Sequence, residues 1–177
     1  MIFSHNDFLN GNILKNSEGI LNLIDYEYGC YNLRAFDLAN FITESLFDYS
    51  KKEYPTFEYH ADRRDGEEAI KDMLKFYLLF STSKSELCLE DAYELAHDEA
   101  LAELMLLENF EGDMERLDSE LDKLHEEYNI CLLLSHWLWL VWGIVVSKNP
   151  DINFGYVEFS FERVKDYQNL KNKIYNN

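Results

Sequence analysis

Read from its N-terminus, the chain first sets short apolar runs around turn-forming residues. Ile13 and Leu14, then Ile20 to Ile24, flank Asn16-Ser17-Glu18-Gly19, which predicts a β-hairpin. Helical spacing follows, and Phe36, Leu38, Ala39, Phe41, Ile42, Leu46 and Phe47 predict a helix over residues 35–48. Residues 51–66 are polar, include Pro55 and Gly66, and predict a loop. Ile70, Met73, Leu74, Tyr77 and Leu78 predict another helix. Leu101, Leu104 and Leu107, then Leu117, Leu121, Leu124 and Tyr128, recur at threes and fours, with Gly112 separating two helical segments. Ser83 with Glu86 has the form of a capping box opening the first of them. From Ile130 to Val146 the chain is nearly all apolar. That run is shorter than the about 20 residues of a bilayer span. It carries Ser135 and His136 near its centre and its three Trp in the middle, not at the ends. A buried central helix is predicted and no transmembrane segment, with Trp137 in the core. The sequence therefore reads as mainly α with a small β-hairpin.

Composition narrows the function classes. The 177 residues suit one domain, and 47% apolar with 15% aromatic residues excludes disorder. Sixteen basic against 34 acidic side chains give −18, which excludes a nucleic-acid partner because phosphate backbones are bound by surplus Lys and Arg. Residues 86–127 hold sixteen Asp and Glu against Arg116 and Lys123, so 2 − 16 = −14 of that charge sits there on a solvated helical face. Cys30, Cys88 and Cys131 are odd in number and far apart, which fits reduced thiols in a cytoplasmic protein. No secretory signal opens the chain, and its glycines form neither G-x-G-x-x-G nor a Walker A loop.

The candidate chemistry lies at the start. His5-Asn6-Asp7-Phe8-Leu9-Asn10-Gly11-Asn12 has the form H-x-D-x4-N, and the hairpin returns the chain to Ile24-Asp25-Tyr26-Glu27. Phosphoryl transfer to a hydroxyl needs a carboxylate that orients the alcohol and accepts its proton. It also needs oxygen ligands for Mg2+. Asp7 suits the first role, Asn12 and Asp25 the second, and the hairpin lets them face one site. Protein kinases use the same order of residue types in their catalytic loop and metal-binding Asp.

Phe3-Ser4-His5-Asn6-Asp7 through Gly11-Asn12-Ile13-Leu14, and Leu23-Ile24-Asp25-Tyr26-Glu27-Tyr28, resemble the two hallmark motifs of choline/ethanolamine kinases. Tyr31 to Asn40 is similar to that family's segment after the metal Asp. His136 to Trp142 and Phe154-Gly155-Tyr156 resemble its late motifs. The matches keep family order from residue 3 to about 165, and residues 81–115 look like an acidic helical insertion.

The resemblance implies the large, C-terminal lobe of a protein-kinase-like fold over residues 1–177, with the N-terminal ATP lobe absent. It implies Mg2+- and ATP-dependent phosphorylation of choline or ethanolamine, the first step of phosphatidylcholine and phosphatidylethanolamine synthesis. It makes Asp7 the catalytic base, Asn12 and Asp25 the Mg2+ ligands, and Leu14 the residue beneath the adenine. His5 and Asp37 become structural supports of the loop.

A quaternary ammonium donates no hydrogen bonds, so aromatic faces and carboxylates must hold it. Trp139 and Trp142, three apart on one helix, match the family's cage, and Tyr28, Glu44, Tyr49 and Phe154 match other members of that pocket. Phe159 stands where the family usually has Tyr, and Leu9 where relatives often carry a polar residue. Without the small lobe the chain alone is expected to be inactive. Apolar surface left at the hairpin favours association, a homodimer being one form, or poor solubility. Two alternatives stay open: another small-molecule kinase of the aminoglycoside-phosphotransferase-like superfamily, and a non-catalytic choline-binding module.

Overall fold

The computed structural model describes residues 1–84, 87–149 and 151–175. The chain forms two compact units, one of Met1–Arg64 with Glu127–Asn177 and one of Asp65–Glu126.

Among the described residues, strands in the first unit occur only as short antiparallel pairs. β1 (Ile2–Ser4) pairs with β4 (Cys30–Asn32), and β2 (Ile13–Lys15) pairs with β3 (Leu21–Leu23). The second pair is the expected hairpin, in the register Ile13 to Leu23 and Lys15 to Leu21. Its turn is held by Asn16 Oδ1, which accepts from the N–H groups of Glu18 and Ile20 at 3.0 and 2.8 Å. Gly19 follows at φ +89°, a backbone region in which side chains with a Cβ are strained. The β1–β4 pair has no counterpart in the periodicity, because three-residue strands carry too few positions for alternation to register.

The helix expected over 35–48 is shorter. α1 spans Phe36–Glu44, and the next residues turn into β5 (Phe47–Asp48), paired with β6 (Glu58–Tyr59) inside the expected loop. The driving feature is Phe47, only 6% exposed, whose ring lies 5.0 Å from both Tyr59 and Phe159.

The second unit contains α2 (Glu67–Thr82), α3 (Leu89–His97) and α4 (Glu99–Asn109). The described residues of the expected acidic insertion, 81–115, all fall in this unit. Glu86, and with it the expected capping box, lies outside the described residues. Asp91 instead accepts from the Cys88 N–H at the start of α3, and Asp98 caps α4 by accepting from Leu101 N–H at 3.0 Å. The expected face of α4 is corrected. Leu101 and Leu104 are exposed, whereas Leu106 and Phe110, four apart, are buried. Gly112, at φ +80°, separates α4 from α5 as expected.

α5 is one continuous helix, Met114–Val146, and its residues from Glu127 onward belong to the first unit. By length and composition alone it could cross a membrane, with 39% of its most apolar stretch buried. Cys131, Leu132, Ser135, His136, Trp139 and Leu140 are buried, but Ile130, Leu134, Leu138 and Val141 are exposed. Trp137, expected in the core, is 54% exposed. The helix is thus buried on one face only.

α6 (Tyr156–Tyr175) runs antiparallel to it, since Gly143 meets Ser160 while Trp137 meets Tyr167. A Cβ at Gly143 would come within 2.5 Å of Ser160 Oγ, so the close approach of the helices depends on glycine there. The core beside this contact consists of Leu46, Phe47, Phe57, Trp139 and Phe159.

Behind that core lies a buried polar cluster. His136 Nε2 is 3.2 Å from Asp166 Oδ2, and Asp166 also pairs with Arg64. Burial, with the charges of Arg163 and Arg64, pushes the His136 imidazole down to about 4 despite Asp166. Its folded pKa lies below the unfolded value of about 6.5, so the unfolded chain takes up the proton first. Stability from this group is full above about pH 6.5 and is lost as pH falls toward 4, by roughly 3 kcal/mol in total. Thermal unfolding followed between pH 7 and pH 4 should show this loss, and a His136→Gln variant that keeps the fold should lose much of the slope.

Candidate active site

The loop after β1 is held from three sides. Asp37, in the first turn of α1, accepts from the backbone N–H groups of His5 and Asn6, both at 2.8 Å. His5 Nδ1 lies 3.2 Å from the Asp7 N–H, which assigns the proton to Nε2, and Nε2 donates to the Ile24 carbonyl at 2.7 Å. His5 thus ties the loop to the residue before Asp25. Asn6 stands at φ +64°, a region Asn tolerates better than most residues. Its amide donates to the Tyr28 carbonyl at 2.8 Å and its oxygen accepts from Asn32 at 2.7 Å.

Asn12 donates to the Asp7 carbonyl at 3.0 Å and to Asp7 Oδ2 at 3.2 Å, leaving its own amide oxygen available as a ligand. The Ile24 N–H donates to the Asn12 carbonyl at 2.9 Å, so the hairpin brings Asp25 beside Asn12. Asp25 itself holds φ +65°, an energetically costly conformation for a residue with a Cβ. Among the described residues no group of three or more His, Cys, Asp or Glu is placed to hold a metal. Two oxygen ligands still suit Mg2+, which commonly takes one or two protein ligands with waters and phosphates completing the shell. Leu14, on β2, is half exposed on the hairpin.

Nine of the residues singled out in the sequence, Leu9 among them, line one cavity of about 300 Å³. Asp7 sits with Glu44 and Tyr49 on its polar side, and Tyr28, Trp139, Trp142, Phe154 and Phe159 supply the rings. Tyr28 meets Trp139 edge-on at 5.6 Å, and Trp139 meets Trp142 likewise at 5.4 Å. Such perpendicular pairs fix the orientation of each face. Asn12, Asp25, Leu14, His5 and Asp37 lie outside that lining, on the loop and hairpin. Glu27, Ile152 and Tyr156 line the cavity and were not singled out.

The ring positions are secured by polar contacts. Trp139 Nε1 donates to Asn40 Oδ1 at 2.7 Å, and Ser135 Oγ donates to the same oxygen at 2.8 Å. Asn40 also donates to the Phe8 carbonyl at 3.3 Å, which links the Asp7 loop directly to the aromatic wall. Trp142 Nε1 donates to the Tyr28 hydroxyl at 3.0 Å.

Glu44 is 7% exposed, with Arg163 on one oxygen and the Tyr49 hydroxyl on the other at 2.7 Å. The Arg163 guanidinium is fully buried and stacks over Phe47 at 4.3 Å and Phe159 at 4.7 Å. Asn40 and Arg163 escaped the sequence reading. The only signal for Arg163 was its place four residues after Phe159, at helical spacing.

Burial, reinforced by the Glu44 charge, pushes the Asp7 carboxyl up to about 6 against the hydrogen bond from Asn12. At neutral pH it remains mostly ionised yet is a better proton acceptor than an exposed carboxylate. A smaller hollow of about 170 Å³ between α2, α3 and α4 is lined by a single ring, Phe76.

Residues 1–168 match the family model for choline/ethanolamine kinase. The chain is 32% identical to mouse choline kinase alpha over 98% of its own length and 34% of that protein's. It is 30% identical to the probable ethanolamine kinase B of Dictyostelium discoideum, over 97% of this chain and 38% of that one. A crystal structure of choline kinase from Cryptosporidium parvum shares the fold, with TM-score 0.64, 19% identity, and coverage of 97% of this chain and 38% of that chain. The chain therefore spans between a third and two fifths of the length of these relatives. The motif order around Asp7, the hairpin and the paired tryptophans all lie within the matched residues, and the chain belongs to the choline/ethanolamine kinase family.

Proposed function

We propose that this chain supplies the catalytic carboxylate and the acceptor pocket of an enzyme that transfers a phosphoryl group from ATP to the hydroxyl of choline or ethanolamine. The observation that carries this reading is the single cavity in which Asp7 shares walls with Tyr28, Trp139, Trp142, Phe154 and Phe159. The chemistry of the acceptor explains the pairing. A trimethylammonium group is attracted to aromatic faces and to nearby negative charge, and its hydroxyl sits at the other end of a two-carbon arm.

In this reading the rings hold the ammonium, and Glu44 and Glu27 add negative potential. Asp7 orients the hydroxyl and takes its proton as the oxygen attacks phosphorus. Asn12 and Asp25 are the residues that would hold Mg2+, which when bound offsets phosphate charge. Leu14 offers an apolar face for the adenine. His5 and Asp37 act through the loop, keeping Asp7 in place. The product feeds phospholipid synthesis.

The direct test is product formation. Phosphocholine and phosphoethanolamine should appear by phosphorus NMR when an enzyme that carries this chain together with an ATP-binding lobe is incubated with ATP, Mg2+ and either alcohol, and removal of Mg2+ should abolish both. An Asp7→Asn variant that makes product at the unaltered rate would overturn the assignment of the base.

A further inference from the structure

The walls of the cavity are richer in rings than in hydrogen-bond acceptors. Both indole N–H groups are engaged elsewhere, Trp139 Nε1 with Asn40 and Trp142 Nε1 with the Tyr28 hydroxyl. The lining includes the carboxylates of Asp7, Glu27 and Glu44. Asp7 serves the hydroxyl end of the acceptor. Glu27 lies between β3 and β4 and is exposed, so water competes for its oxygens. Glu44 is the carboxylate set among the rings, and it is closed off. It is only 7% exposed. Arg163, which does not line the cavity, holds one of its oxygens, and Tyr49, which does, donates its hydroxyl to the other at 2.7 Å.

We infer that the Tyr49 hydroxyl is a specificity element. By occupying the Glu44 oxygen on the cavity side, it denies an acceptor to the N–H groups of a primary ammonium, and the pocket selects the trimethylammonium of choline over the ammonium of ethanolamine. This inference rests on the acceptor-pocket reading and narrows it. A trimethylammonium has no donor to strand, and its methyl groups carry the positive charge against ring faces. A primary ammonium gives up water at three N–H groups, and each one left without an acceptor weakens binding by about tenfold or more. Glu44 still lends negative potential to either cation, but in this arrangement it offers neither a hydrogen bond.

Tryptophan-fluorescence titration of the chain with ethanolamine, its N-methyl and N,N-dimethyl derivatives and choline tests the inference, at neutral pH where all four are cations. The wild type should bind them more tightly with each methyl group, and choline should lead ethanolamine by ~10-fold or more. Tyr49→Phe keeps the ring and uncovers the Glu44 oxygen for a charge-assisted bond. Ethanolamine binding should then tighten and the choline-to-ethanolamine ratio fall ~5-fold or more, with the far-UV circular dichroism unchanged. A wild type that binds ethanolamine as tightly as choline, or a Tyr49→Phe variant that keeps the wild-type ratio, would overturn the inference and leave the pocket reading standing. A preference for ethanolamine that Glu27→Gln removes would overturn it in favour of Glu27 as the acceptor. Binding of none of the four would overturn the pocket reading and the inference with it.

Discussion

Replacing Asp7 with Asn, in an enzyme that carries this chain together with an ATP-binding lobe, is expected to lower phosphocholine formation by ~10²–10⁴-fold, the range a positioned general base contributes. The amide keeps the size of the carboxylate and can still meet Asn12, whose side chain reaches both the Asp7 carbonyl and Oδ2. Loop geometry should survive because Asp37 and His5 bond to backbone groups, not to the Asp7 carboxylate. Choline binding should therefore persist within a few-fold, since the rings are untouched. Parallel measurement of turnover and of choline-dependent fluorescence separates the two effects. A parallel loss of both would assign Asp7 to binding instead.

The second large effect lies at Arg163. Its guanidinium is completely buried, joins Glu44, and is sandwiched against Phe47 and Phe159. Arg163→Met keeps volume but leaves Glu44 in the interior without its cation, at an expected cost of roughly 3–5 kcal/mol. Adding Glu44→Gln to that variant removes the stranded charge and should recover a large part of the loss. Urea unfolding of both single variants and the double variant measures the coupling. Purely additive losses would mean that Arg163 stabilises through its rings alone and not through Glu44.

What the sequence disclosed follows from where its signals are local. The hairpin was legible because Asn16 and Gly19 dictate a turn between two apolar runs. Asp7, Asn12 and Asp25 stood out because phosphoryl transfer demands those residue types in a short order, and the hairpin does bring Asp25 back beside Asn12. Family resemblance singled out the rings that line the cavity, since Trp139 and Trp142 in an apolar helix otherwise look like packing. Trp139 is 6% exposed and part of the core, and it also lines the cavity.

Other features depended on distant partners. Arg163 and Asp166 are charged residues on the buried side of α6, and their partners Glu44, Arg64 and His136 come from remote segments. Charge on an inner face breaks the apolar period, so α6 was not anticipated. Asn40 likewise gains its meaning only when α5 delivers Ser135 and Trp139 to one oxygen. The opposite error occurred on α5. An unbroken apolar run implied burial all round, whereas only one face meets the core and Trp137 stands outside it.

The central claim is that one cavity joins an aromatic cation site to the Asp7 carboxylate, and a tryptophan-fluorescence titration with choline probes it most directly. Trp142 is the informative position, because it lines the cavity and bonds Tyr28 while lying only partly within the core. The wild-type chain should give a saturable change, displaced by tetramethylammonium, and Trp142→Ala should weaken choline binding by about tenfold or more, in line with a desolvated cation–π contact of ~2 kcal/mol. A folded wild-type chain that gives no response to choline, or a Trp142→Ala variant that binds it with unchanged affinity, would contradict the account.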